Sequence, residues 1–268
     1  MMLVNLRRDT VSPFSKKSKK LIVSGCSYTD DCHDYPAWPE LLAKRLKMDC
    51  INLGSSGAGN EYISSSLLDT ISEHKNIGLV IAMWSEFLRL DFYSDYTPVT
   101  CHKFNWTHML FPTRFGTLDR HLPGRGADWK NKIMRDLYKH GFGSDKANLI
   151  RSLRIFFMFQ QTMKSLNIPF LQLMGTNPLS AWGESPSWAH RNKAIIDSSY
   201  LKLIDKKLFL GWPIMPQIGG WNIDSFLDEY EYEEVRISLD DCHPNAKGHS
   251  LIAKKIYKYY ENIYGTVF

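Results

Sequence analysis

The chain has 268 residues, 44% apolar and 23% charged, with a formal net charge of +5. That length suffices for one large domain with a well-buried core or two small ones, and the composition is that of an ordinary globular protein. The mild positive charge gives no argument for nucleic acid. No run of about 18 apolar residues suggests a membrane span, and no apolar leader is visible after Met1.

In chain order, the basic cluster Lys16, Lys17, Lys19 and Lys20 reads as a solvated leader, with a polyanion contact as the alternative. Residues 20–24 read as a buried strand ended by Gly25. Pro36-Ala37-Trp38-Pro39 opens a helix with Leu41, Leu42 and Leu46 on one side, since proline suits a first turn. Cys50 to Leu53 form a second strand, broken by the glycine-rich stretch 54–59. Ile63, Leu67 and Ile71 then mark a second helix, and Leu79 to Met83 a third strand. Continuous apolar runs of this kind suit parallel strands covered on both faces. The β-α-β-α-β rhythm predicts a doubly wound α/β sheet.

Two irregular stretches interrupt it, at about 92–143 and 176–235. The first is rich in aromatics (Phe92, Tyr93, Tyr96, Phe104, Trp106, Phe111, Phe115, Trp129) and has a helix near 129–139. The second holds Trp182, Trp188, Trp212 and Trp221, and only 196–209 reads as helical. These aromatics read as local cores, with a wall over a ligand cleft as the alternative. Between the insertions lie a helix at about 145–166 and a strand from Phe170 to Met174. The last helix runs from about 245 to 263, with Asn245 as its cap. His249 reads as a packing or capping residue. The whole chain, 1–268, is expected to be a single domain with these two insertions.

Strand C-terminal ends in open α/β sheets converge on one crevice. The loop after the first strand carries Ser27. A hydroxyl needs a base to act as nucleophile, and His243 is the candidate base. Asp240, three residues earlier, is expected to orient the imidazole; Asp241 is the rival acid, its i, i+2 spacing pointing it elsewhere if the segment is a tight turn. Acyl transfer also needs donors for an oxyanion. The candidates are the backbone N–H of Ser27, that of Gly57, and the Ser85 side chain. Trp84, Glu86 and Arg89 are candidate substrate contacts, with a plain Glu86–Arg89 ion pair as the alternative reading of Arg89.

These blocks resemble the SGNH hydrolases, also called the GDSL esterase family. Gly25-Cys26-Ser27 stands where the family has Gly-Asp-Ser. Asn52-Leu53-Gly54-Ser55-Ser56-Gly57 fits an Asn-x-Gly-x-x-Gly pattern, and Asp240, His243, Pro244 and Asn245 fit Asp-x-x-His-Pro-Asn, continued by Gly248-His249. The family's third block, Gly-x-Asn-Asp, is absent; its asparagine falls by position on Ser85, within Met83-Trp84-Ser85-Glu86. The resemblance implies a three-layer α/β/α sandwich of flavodoxin-like type. It also implies a serine esterase acting on small acyl esters, such as O-acetyl groups on carbohydrates, or on lipid esters. The tryptophan-rich insertions favour a glycan substrate. A non-catalytic glycan-binding or structural module on the same scaffold and an O-acyltransferase are the other readings. No cofactor, metal or nucleic acid is expected. A zinc site from Cys26, Cys242 and His33 lacks ligand spacing. The five cysteines, without C-x-x-C, suggest reduced thiols and a cytoplasmic location.

Overall fold

The computed structural model describes residues 18–93, 106–110, 127–178 and 188–265. Lys16, Lys17, Cys101, Tyr96, Phe104, Phe111, Phe115 and Trp182 lie outside the described residues. Strands β1 (Lys20–Ser24), β2 (Asp49–Asn52) and β3 (Ile77–Trp84) alternate with helices α1 (Trp38–Leu46) and α2 (Asn60–Glu73). Then come a hairpin of β4 (Arg89–Tyr93) and β5 (Trp106–Leu110), helices α3 (Ala127–Lys139) and α4 (Asp145–Ser165), and strand β6 (Phe170–Met174). Short helices α5 (Trp188–Ile196) and α6 (Tyr200–Leu203) lead to strand β7 (Phe209–Leu210). Helices α7 (Ile223–Leu227) and α8 (Tyr232–Val235), a hairpin of β8 (Arg236–Ser238) and β9 (Asp241–Pro244), and helix α9 (Ala246–Tyr264) complete it.

The central sheet is five-stranded and parallel, in the order β2-β1-β3-β6-β7. Ile22 sits in register with Ile51 on one side and Val80 on the other. β2 lies to one side of β1 and β3 to the other, so right-handed crossovers put α1 and α2 on opposite faces. α9 packs beside α1, and α4 beside α2, giving the three-layer α/β/α sandwich. The buried run of β3 follows from being covered on both faces. Strand order reverses between β1 and β3, and the crevice above that point is where the loop carrying Ser27 emerges.

Two segments differ from the sequence expectation. Of the helix expected at 196–209, the structure has the last residue of α5 and the single turn α6, followed by the edge strand β7. Phe209 is fully buried against Phe156, ring centroids 5.6 Å apart. The first insertion contains the β4–β5 hairpin, which sequence alternation concealed: Asp91 is 5% exposed while its neighbour Phe92 is 40% exposed, the reverse of the usual polarity. Trp106, Trp212 and Trp221 pack against Tyr62, Phe209 and Phe226.

Helix ends are closed by specific side chains. The Asn245 side chain accepts the Gly248 N–H at 3.0 Å and caps α9. His249 is fully buried and caps a different helix, accepting the Trp38 N–H of α1 on its Nδ1 at 3.2 Å. Burial, reinforced by His33 and His243 nearby, lowers the His249 pKa to about 4. The unfolded chain would bind its proton near pH 6.5, so the folded state excludes a proton that the unfolded state takes up. Stability is therefore expected to fall by about 3 kcal/mol as pH drops from about 6.5 to 4. Urea unfolding of wild type and His249→Asn, which keeps an acceptor near the Nδ1 position, tests this. The variant should lose about one proton of pH dependence in that window; an unchanged slope would assign the effect elsewhere.

Candidate active site

Ser27 sits where the chain turns sharply after β1. The N–H groups of Thr29 and Asp30 both donate to the Cys26 carbonyl, at 2.8 and 3.1 Å, while Cys26 and Tyr28 are buried. Ser27, between them, is partly exposed. Its Oγ lies 2.8 Å from His243 Nε2, and His243 Nδ1 lies 2.5 Å from Asp241 Oδ1. A carboxylate can only accept, so Nδ1 carries the proton and Nε2 is left to accept the Ser27 hydroxyl proton.

The carboxylate against the His243 ring is thus Asp241 and not the expected Asp240. The reason is local conformation. The segment is the strand β9, and along an extended strand residues i and i+2 share a face. Asp240 is exposed in the turn between β8 and β9. Asp241 also accepts the His243 backbone N–H at 3.0 Å, the local bond that aspartate favours two residues ahead. Partial burial pushes the Asp241 carboxyl up. The hydrogen bonds from the His243 ring and N–H, with the nearby charge of His243 and His33, outweigh this and hold it below the ordinary carboxylate range.

The second loop, residues 54–59, is held against the first at several points. Asn52 Nδ2 donates to the Thr29 carbonyl at 2.8 Å, and Asp30 Oδ2 accepts the Ser56 N–H and hydroxyl at 2.9 and 3.0 Å. Gly54 is required by close approach: a Cβ there would lie 2.6 Å from the Asp30 N and the Thr29 carbonyl carbon. Gly57, at φ +82°, is exposed and occupies the left-handed region. Among the described residues, neither the Ser27 nor the Gly57 backbone N–H has a hydrogen-bond partner. These are the two backbone groups expected to meet an oxyanion.

A cluster that sequence reasoning missed ties Ser27 to His243. Arg236, only 3% exposed, donates from Nη1 to the Cys242 carbonyl at 2.6 Å, the Tyr28 hydroxyl at 3.0 Å and Asp224 Oδ1 at 3.1 Å. Its Nη2 donates to Asp228 at 2.8 Å. The Tyr28 hydroxyl in turn donates to Asp224 at 2.6 Å, and the Asn177 N–H reaches the other Asp224 oxygen at 2.7 Å. Burial and the Asp224 charge push the Tyr28 phenol well up, so it acts as a donor. Burial opposes the Arg236 charge, but the carboxylates of Asp224 and Asp228 more than offset it. Tyr28 follows Ser27, Cys242 precedes His243, and the Tyr28 and His243 rings meet edge-on at 5.6 Å. No sequence signal marks the cluster, because its members are joined only by tertiary contact.

The remaining candidates fall elsewhere. Trp84 is fully buried in the core, stacked on Phe156 at 4.6 Å with its indole N–H on Gln172 at 3.0 Å, and so does not line the crevice. Glu86 and Arg89 pair with each other at 2.8 Å, and Arg89 also donates to the Ala58 carbonyl at 3.2 Å; both are largely buried. Ser85 is fully buried and its Oγ has no partner among the described residues. Its backbone is clasped by Asn60, which accepts the Ser85 N–H at 2.8 Å and donates to its carbonyl at 3.1 Å. A hydroxyl shut away from solvent is poorly placed to meet a substrate. Cys26, Cys32, Cys50 and Cys242 are free thiols, and no group of three or more His, Cys, Asp or Glu among the described residues could hold a metal ion.

No protein-family model matches the sequence, and no curated protein matches it. Solved structures of similar shape include a protein from Desulfitobacterium hafniense DCB-2 described as a lipolytic protein of the G-D-S-L family, at TM-score 0.48 and 13% identity, covering 90% of this chain and 99% of that one. A catalytic mutant of Axe2, an acetylxylan esterase from Geobacillus stearothermophilus, matches at TM-score 0.46 and 12% identity, covering 90% and 93%. The acetyl xylan esterase AlAXEase matches at TM-score 0.43 and 15% identity, covering 89% and 98%.

Two outcomes follow from this geometry. Arg236→Met strips a buried charge partner from Asp224 and a donor from Cys242, and is expected to cost about 3 kcal/mol in chemical unfolding; a loss below about 1 kcal/mol would mean the cluster does not hold the loops together. Ser85→Ala removes a buried hydroxyl that bonds nothing, so its melting temperature should be unchanged or higher. A lowered melting temperature would show that the hydroxyl is bonded in solution.

Proposed function

We propose that the chain is a serine-dependent ester hydrolase that removes a small acyl group, with O-acylated carbohydrate as its substrate class. The observation that carries this reading is the unbroken hydrogen-bonded series Asp241–His243–Ser27 beside two unpartnered N–H groups. Ser27 Oγ attacks the ester carbonyl carbon while His243 Nε2 takes its proton. The resulting oxyanion accepts from the N–H groups of Ser27 and Gly57. Collapse breaks the bond to the alcohol oxygen, which leaves with the proton held on His243. Water then enters, gives a proton to His243 and attacks the acyl-enzyme. The carboxylic acid departs as Ser27 regains its proton. Asp241 keeps the imidazole in the required tautomer throughout and stabilises the imidazolium.

The carbohydrate preference rests on the surface near the series. A shallow cleft of about 450 Å³ is lined by Cys32, His33, Asp34, Tyr35, Ile237 and Asn245. The His33 and Tyr35 rings stack there at 5.1 Å. Aromatic faces beside polar groups suit a sugar ring better than an extended acyl chain.

The test is turnover of nitrophenyl esters and acetylated sugars by four proteins. Ser27→Ala should abolish hydrolysis. Asp241→Asn should cost on the order of 10⁴ in kcat, the scale seen when a Ser-His-Asp series loses its orienting acid. Asp240→Asn should remain close to wild type. Equal losses for the two aspartate variants, or activity in Ser27→Ala, would overturn the assignment.

A further inference from the structure

A second Ser-His-Asp series lies behind the first. Asp91 on β4 and His108 on β5 are cross-strand partners. His108 Nδ1 lies 2.7 Å from Asp91 Oδ1, and His108 Nε2 lies 3.2 Å from Ser55 Oγ. The side chains of His108 and Asp91 are 2% and 0% exposed, and Ser55 is 1% exposed. No ester could reach this serine, so its geometry calls for a different role.

The hydrogen bonds of the series lead to the loop that carries Gly57 and to the first turn of α2. Asp91 closes the N-terminus of α2, where the N-cap residue Gly59 has no side chain to do so. Its two oxygens accept the N–H of Gly59 and of Tyr62, both at 2.9 Å, satisfying donors that a helix start leaves open. Arg89, two residues earlier on the same face of β4, holds the Ala58 carbonyl. Ser55 is fixed by its side chain on His108, by its N–H on the Gly25 carbonyl at 3.0 Å, and by its carbonyl, which accepts the Ala58 N–H at 3.0 Å. The His108 Cβ lies 3.7 Å from where a Gly57 Cβ would stand. The loop is thus tied on both sides of Gly57, which is exposed and whose N–H has no partner among the described residues.

We propose that Asp91, His108 and Ser55 are positioning residues that aim the Gly57 N–H at the oxyanion. The inserted β4–β5 hairpin thereby supplies, through the backbone, rigidity that a third-block asparagine would otherwise bring as a side-chain donor. This rests on the esterase reading. The hairpin acts on the rate of the acyl-transfer step and not on substrate affinity, because Gly57 meets charge that develops only after attack.

The experiment measures kcat, KM and melting temperature for wild type, Ser55→Ala, His108→Phe and His108→Gln on a small nitrophenyl ester. It also measures labelling of Ser27 by a serine-directed phosphonate. Losing a whole oxyanion donor costs about 10²–10³ in kcat, so a misaimed one should cost roughly tenfold in Ser55→Ala and about 10² in His108→Phe, with KM within about twofold. His108→Gln, whose amide reaches toward the Nε2 position, should recover most of the His108→Phe loss. Ser55→Ala removes one hydroxyl and no ring, so it decides the matter if His108→Phe does not fold. Variants that melt lower yet keep wild-type kcat, or that raise KM alone, would overturn the positioning role. A wild type that hydrolyses no ester and takes no label at Ser27 would overturn the esterase reading and this proposal with it. An active wild type with unaffected variants would overturn this proposal alone.

Discussion

The buried guanidinium of Arg236 joins the loop of Ser27 to the strand of His243, residues that lie 216 apart in sequence. The sheet brings the β1 loop to the crevice, but β9 belongs to a separate hairpin outside that sheet. Nothing in the parallel framework alone fixes how far His243 stands from Ser27. Arg236 does so through the Cys242 carbonyl on one side and the Tyr28 hydroxyl on the other, with Asp224 bridging to the loop after β6. A planar, always charged group with several fixed donors suits this better than lysine, because it can hold a carbonyl, a phenol and carboxylates at once.

The two Ser-His-Asp series make the same bonds and differ in burial. Around Ser27 the histidine and aspartate side chains are 34% and 43% exposed, so solvent reaches the groups. Around Ser55 the groups are sealed, and the hydrogen bonds act as struts in a low-dielectric interior, where they are strong and costly to break. The ties are thus divided: Arg236 joins the Ser27 loop to β9, and the β4–β5 hairpin holds the loop that carries Gly57.

Much of this was legible in the sequence because it depends on period and local chemistry. The apolar runs of β1 and β3, the proline at the start of α1 and the asparagine cap of α9 are local signals, and the doubly wound sheet follows from their rhythm. Ser27, Gly57 and His243 could be picked out as candidates because glycine and proline flank them in a recognisable order. The choice between Asp240 and Asp241 was not legible, since it turns on whether residues 240–243 form a turn or a strand, and a four-residue strand has little period to read. Trp84 was misplaced for a similar reason: the last residue of a buried strand and the first of a crevice loop look alike in sequence. Arg236, Asp224, Asp91 and His108 carry no local mark. Each is a polar residue buried by tertiary partners, and in β4 the buried aspartate beside an exposed phenylalanine inverts the pattern by which strands are recognised.

The central claim is that Ser27 attacks while Gly57 and Ser27 N–H groups receive the charge. A crystal structure of the protein after reaction with a serine-directed phosphonate tests it most directly, because the adduct mimics the tetrahedral intermediate. The account predicts a bond from Ser27 Oγ to phosphorus. It also predicts the phosphonyl oxygen at about 2.7–3.1 Å from the N–H groups of Ser27 and Gly57, with His243 still on Asp241. An adduct on another serine, or a phosphonyl oxygen turned away from Gly57, would contradict it.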